Sequence, residues 1–143
     1  MRIIVNTNRI IAALIRDSVS RRLLFSGKAD FCTLETAKAE VAKYRAYIAQ
    51  KSGLTSEAFD ETFQSILQKM LVYPKEGIEE SVYREAQKIM DSIDPDDTPF
   101  IALALSIPND GIWTDDQHFA RQKKIQSWST PRLLKRLGLK TLF

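Results

Sequence analysis

Five short apolar runs constrain the fold more than any other feature of this chain: RIIVN at 2–6, FCTL at 31–34, LVY at 71–73, IWT at 112–114 and IQSW at 125–128. None shows the clean apolar–polar alternation of a strand with one wet face, so each reads as a strand covered on both sides. The stretches between them repeat apolar residues at three- and four-residue spacing, the period of a helix that buries one face. Strands of this kind separated by helices build a parallel sheet with helices above and below. The expected fold is therefore α/β, a three-layer α/β/α sandwich around a central parallel sheet of about five strands.

The helical patterns follow in order. The first runs through Ile10, Ile11, Leu14 and Ile15, and the second through Leu23, Leu24 and Phe25, with Ser18 or Ser20 as its cap and Gly27 as its stop. One long helix is expected from Glu35 to Lys51, with Ala37, Val41, Tyr44 and Ile48 facing inward and Gly53 ending it. Another starts at Thr55 and carries Phe59, Phe63, Ile66, Leu67 and Met70, and a further one lies around 79–91. Asp94 and Pro95 open a helix whose apolar block, Phe100 to Ile107, is broken by Pro108 and Gly111. Residues 116–123 read as helical, and Thr130 with Pro131 opens the last helix. No repeat or Gly/Ser/Pro-rich linker divides the chain, so a single domain over 1–143 is expected. The helix faces bearing Phe59, Phe63, Leu133 and Leu137 fit core packing as well as they fit a homodimer or a partner groove.

Several function classes drop out. No apolar run approaches the ~20 residues that cross a bilayer, and the run after Met1 lacks the flanks of a signal peptide, so a cytoplasmic protein without a membrane partner is expected. The single cysteine, Cys32, lies in an apolar run and allows neither a disulfide nor a cysteine zinc site. No phosphate-binding glycine loop, dinucleotide fingerprint or nucleophile elbow is present. The net charge of +3 is unevenly spread: the acids end at Asp116, and Arg121, Lys123, Lys124, Arg132, Lys135, Arg136 and Lys140 follow without a carboxylate. Such a segment suits a polyanion, and equally a solvated, solubilising tail.

In an open parallel sheet the ligand site lies beyond the carboxyl ends of the strands. There the chain places Asn6, Thr7 and Asn8 after the first strand, and Thr114, Asp115 and Asp116 after the fourth. Asp94, Asp96 and Asp97 stand before the helix leading to that fourth strand, and Glu40 falls on the inward side of its own helix. Each has an ordinary reading: Asp97 and Asp116 as helix caps, Glu40 at the rim of an apolar stripe, His118 as an exposed helix residue. Gathered at one sheet edge without matched Lys or Arg, however, these carboxylates call for a cation. Oxygen donors favour Mg²⁺ or Mn²⁺ over zinc.

These segments resemble the PIN-domain ribonucleases, in particular their VapC-type toxin class. RIIVNTN is similar to the family's opening I-V-D-T-N, DPDDTPFIALAL at 94–105 to its third motif, and IWTDDQHF at 112–119 to its T-x-D-x-x-F motif. The resemblance covers essentially the whole chain in order and implies metal-dependent endonucleolytic cleavage of RNA by water. It also implies a toxin role with a cognate antitoxin. Carried over by position, Asn6, Glu40, Asp97 and Asp116 occupy the four catalytic acidic places, with Glu40, Asp97, Asp116 and the auxiliary Asp115 as metal ligands. Asp94 is read as a supporting or capping residue, and Arg9, Lys123 or Lys124 as cations for the flanking phosphates.

Position 6 departs from the pattern, for it holds Asn6 where the family has an aspartate. An introduced substitution and a natural change both account for it. Two readings of the chain follow: a nuclease weakened or inactivated by Asn6, or a non-catalytic module that holds RNA or a protein partner in the same pocket. A phosphoacceptor domain fits less well, since it wants an acid pair directly after the first strand and this chain has NTN there.

Overall fold

The computed structural model describes residues 1–15 and 18–140, the side chain of Ser18 excepted. Its centre is β1 (Arg2–Val5), flanked on one side by β2 (Asp30–Leu34) and β3 (Met70–Tyr73) and on the other by β4 (Ile112–Trp113) and β5 (Ser127–Trp128). All pairings are parallel, with Ile4 opposite both Cys32 and Ile112. The order β3-β2-β1-β4-β5 reverses between β1 and β4, and such a switch point opens a crevice at the carboxyl ends of the two strands.

Among the described residues eight α-helices accompany the sheet: α1 (Thr7–Ile15), α2 (Ser18–Phe25), α3 (Glu35–Lys43), α4 (Arg45–Ser52), α5 (Ser56–Leu67), α6 (Glu80–Met90), α7 (Thr98–Ser106) and α8 (Thr130–Arg136). Helices α2 to α5 gather around α1, while α6 packs on α7 and α7 on β2. The result is the expected three-layer sandwich. Ile3, Ile4 and Val5 of β1 are fully buried, as is Trp113 of β4, in keeping with strands covered on both faces. Helix α7 is apolar almost all round, and Phe100 to Ala104 are all buried, which makes it an internal helix rather than a surface one. No helix among the described residues is long and apolar enough to cross a membrane.

Several boundaries differ from the sequence reading. The helix expected over 35–51 breaks at Tyr44, whose N–H is shared between the carbonyls of Glu40 and Val41 at 3.3 and 3.2 Å. This tightening turns the axis, so Ala37, Val41 and Ile48 are buried while Tyr44 comes out exposed. Residues expected to be helical over 116–123 form a 3₁₀ turn at Gln117–Arg121, and the last strand shrinks to Ser127–Trp128. Ser20 is buried within α2 and is not its cap; the residue preceding α2 lies outside the described residues. Phe59 and Leu133 are buried, and Phe63 and Leu137 pack against the core, so core packing accounts for all four.

Candidate functional site

The crevice at the switch point is built first by the segment leaving β1. Asn6 N–H donates to the Trp113 carbonyl at 3.0 Å, which extends the β1–β4 pairing by one residue and leaves the Asn6 side chain 5% exposed. Its Oδ1 accepts from the Asn8 backbone at 3.2 Å, the local turn that lets an Asn or Asp end a strand and start a helix. Asn8 Nδ2 donates to Thr114 Oγ1 (3.1 Å), and Asn8 Oδ1 accepts from the Asp115 backbone (3.4 Å), so the ends of β1 and β4 are tied together. Thr7 donates its hydroxyl to Glu40 Oε1 at 2.9 Å, fixing the carboxylate of α3 over the start of α1.

The remaining acids come from the loop before α7 and the loop after β4. Asp94 caps the 3₁₀ turn at Pro95–Asp97 by accepting from the Asp96 backbone at 3.1 Å. Asp116 likewise caps its own turn by accepting from the His118 backbone at 2.9 Å. Asp97 behaves differently: it stands at the N-cap position of α7 but makes no capping bond, and its Oδ2 is buried without a hydrogen-bond partner. The capping reading therefore holds for Asp116 and fails for Asp97. His118 Nδ1 lies 3.4 Å from Asp94 Oδ2 and 3.3 Å from Asp116 Oδ1, on an imidazole that is half exposed.

The electrostatics follow from this crowding. Burial, reinforced by the carboxylates of Asp116 and Asp94, pushes the Asp97 carboxyl up to about 8. Burial also raises Glu40, assisted by the charge of Asp96 and opposed by the Thr7 hydroxyl and the Lys43 ammonium. In the absence of a cation the cluster thus holds a proton near neutrality, because several carboxylates cannot all ionise at such proximity.

Thr7 ties Glu40 to the segment that follows Asn6, Thr114 ties Asp116 to Asn8 of the same segment, and Asp97 lies against Asp116. Asp115 departs from expectation: its Oδ2 forms a 2.6 Å ion pair with Arg9, so it has the cation that a metal ligand would lack. Arg9 is itself buried, bonded to Ser20 and Thr130, and lies under the Trp113 ring, which removes it as a cation for incoming phosphates. Lys123 and Lys124, by contrast, are exposed, as are the other five cations of the C-terminal segment. Sequence reasoning undervalued Asp94 and His118. Among the described residues, atoms of Asp94, Asp116 and His118 lie within 4.8 Å of one another and offer a set of donors for a metal. The two-residue step from Asp116 to His118 was the available signal, but only the turn geometry brings Asp94 to it.

The donor set is suited to a hard divalent ion. It offers several carboxylates, one imidazole and an orphaned buried oxygen, and a cation supplies what that oxygen lacks. A family model described as PIN domain matches residues 4–138. No curated protein matches the sequence.

Proposed function

This chain belongs to the PIN-domain family, whose fold is of a nuclease type that is typically metal-dependent, and from that premise we propose that it is a divalent-metal-dependent endoribonuclease of the VapC class, weakened by Asn6. On this reading it hydrolyses RNA phosphodiester bonds in the cytoplasm and is the toxin partner of a cognate antitoxin. The observation that carries the proposal is Asp97, whose buried Oδ2 meets no N–H or hydroxyl donor and faces only the carboxyls of Asp116 and Asp94. A buried unpaired acceptor costs roughly 1–3 kcal/mol, more when charged, and a bound ion relieves that cost.

Asp97 and Asp116 would hold Mg²⁺ or Mn²⁺, with Glu40 as a further ligand and the Asn6 carbonyl oxygen in the first acidic place. When bound, such an ion lowers the cost of ionising a water and neutralises charge on the phosphate. The protein's own groups do the arranging. Thr7 fixes the orientation of Glu40. The Asn8–Thr114 contact keeps the two strand ends in register. Asp94 and His118 flank Asp116 and limit its movement. Asp97, held protonated near neutrality by burial and its acidic neighbours, would have to lose that proton to serve as a ligand.

Asn6 retains the carbonyl oxygen of an aspartate and removes one negative charge. At an effective dielectric of about 20, a charge some 4 Å from an ion is worth several kcal/mol, partly offset by relief of repulsion from the other acids. At about 1.4 kcal/mol per decade, the ion's affinity falls roughly ten- to a thousandfold. The same substitution supports the second reading, a module that binds RNA or a partner without cutting it.

Comparing this chain with Asn6→Asp on single-stranded RNA separates the two. Cleavage that rises at least tenfold in the variant, in Mg²⁺ or Mn²⁺, and stops in EDTA is the expected result. If the variant cuts no better, or EDTA leaves cleavage intact, the nuclease reading fails, and metal-independent RNA binding alone would establish the module.

A further inference from the structure

Four large apolar or aromatic residues are well exposed among the described residues: Phe25, Tyr44, Tyr47 and Leu71. Two of them, Tyr44 and Tyr47, lie three residues apart where α3, the helix that carries Glu40, gives way to α4. Tyr44, 47% exposed, follows α3 and donates its N–H to the Glu40 carbonyl, so it lies one helical turn from that carboxylate. Tyr47, 55% exposed, is on the next turn, in α4. A lysine ammonium accompanies each ring: Lys43 Nζ is 5.5 Å from the Tyr44 centroid, and Lys51 Nζ is 5.8 Å from that of Tyr47. Helix α4, RAYIAQKS, contains no carboxylate, and its remaining cation, Arg45, is engaged by Asp60 and the Phe59 ring.

Exposed rings, each accompanied by a lysine, on a segment that is free of carboxylates from Ala42 to Thr55 match the chemistry of an unpaired nucleic-acid strand. Every base has a face that stacks on an aromatic ring, and every linkage carries a negative charge. The flexible lysines give up their ring contacts readily, because an exposed cation–ring contact is weaker than a base–ring stack. A duplex buries its base faces and gains nothing from such a surface. Lys43 and Tyr44 follow Glu40 by three and four residues at the end of α3, so the stripe begins one helical turn from that carboxylate.

We propose that Lys43, Tyr44, Tyr47 and Lys51 form a stacking platform that leads single-stranded RNA into the acidic cluster. Bases rest on the two rings and the ammonium groups meet the phosphates between them. The inference rests on the ribonuclease reading and deepens it by naming the form of the substrate and the residues that position it.

The test is equilibrium binding of a fluorescently labelled oligouridylate to the unmodified Asn6 chain in EDTA, where no cleavage intervenes. Replacing both rings, Y44A/Y47A, is expected to weaken binding at least tenfold, while Y44F/Y47F stays within about threefold, because phenyl rings still stack. K43A/K51A is expected to lower the slope of log affinity against log salt by about 1.4, at about 0.7 per phosphate contact on a single strand. Affinity within twofold of the parent for Y44A/Y47A overturns the proposal. So does an equal loss on a duplex of the same length, or a fall in oligomeric mass with RNA affinity intact, which would assign the stripe to a protein contact. Because the assay needs no metal, its failure is distinct from failure of Asn6→Asp to cleave.

Discussion

At position 97 an aspartate occupies the start of α7 without capping it, and its buried oxygen faces no donor. The ordinary aspartate value is 3.8, whereas here burial and the neighbouring carboxylates push it up to about 8. Between those values the folded, ion-free protein keeps a proton that the unfolded chain has released. Stability from this group is therefore complete below about 4 and is lost as pH rises through about 8. Urea midpoints measured in EDTA should fall between pH 5 and pH 8 for this chain, and Asp97→Asn should flatten that fall while abolishing any cleavage in the Asn6→Asp background. A midpoint that rises over the same interval, or a slope that Asp97→Asn leaves untouched, would contradict the placement of Asp97 among its neighbours. Asp115 illustrates the opposite case. Its sequence position beside Asp116 suggested a ligand, but the buried Arg9 claims it, a partnership across 106 residues that no local pattern announces.

At the scale of elements, the residue periods identified which segments form strands and helices because burial on both faces leaves a long apolar run and burial on one face leaves a helical stripe. What they could not supply was the phase where the chain bends. Tyr44 continued the spacing of Ala37 and Val41, yet the shared hydrogen bond at the end of α3 turned it outward. The edge strand β5 pairs with β4 only at Ile112↔Ser127 and Trp113↔Trp128, and the chain packs closely against it at Gly111. Gly111 has φ +126°, and a Cβ there would lie 2.5 Å from the Gln126 carbonyl and 2.8 Å from Trp128 Nε1. Gly111→Ala should therefore cost roughly 2–4 kcal/mol, the sum of backbone strain and displacement of β5. Thermal denaturation would show it, and an unchanged melting temperature would mean that the β4–β5 contact is looser than described. Since Thr114 donates its N–H to Trp128, the variant should also weaken ion binding by shifting the loop that carries Asp116.

At the scale of the molecule, the central sheet gathers residues 6, 40, 97 and 116 from four separate segments. The sequence order of the motifs named those four positions as one candidate site, whereas it gave no sign of the turn that brings Asp94 to His118. Cys32 offers a probe of the whole fold: it is 2% exposed, and burial pushes its thiol up to about 11. A thiol reagent at pH 8 should label it only through global opening, and Mn²⁺ at a hundred times its dissociation constant should slow that labelling about a hundredfold by mass action. Rapid labelling of the native protein, or a rate indifferent to Mn²⁺, would contradict a closed core linked to an ion site. Whether the switch-point carboxylates hold a divalent ion can be read from anomalous scattering by an Mn²⁺-soaked crystal of the Asn6→Asp chain. The expected result is an ion within about 2.0–2.4 Å of carboxylate oxygens from Asp97 and Asp116. An absent ion at saturating Mn²⁺, or one that leaves Asp97 outside its coordination shell, would contradict it.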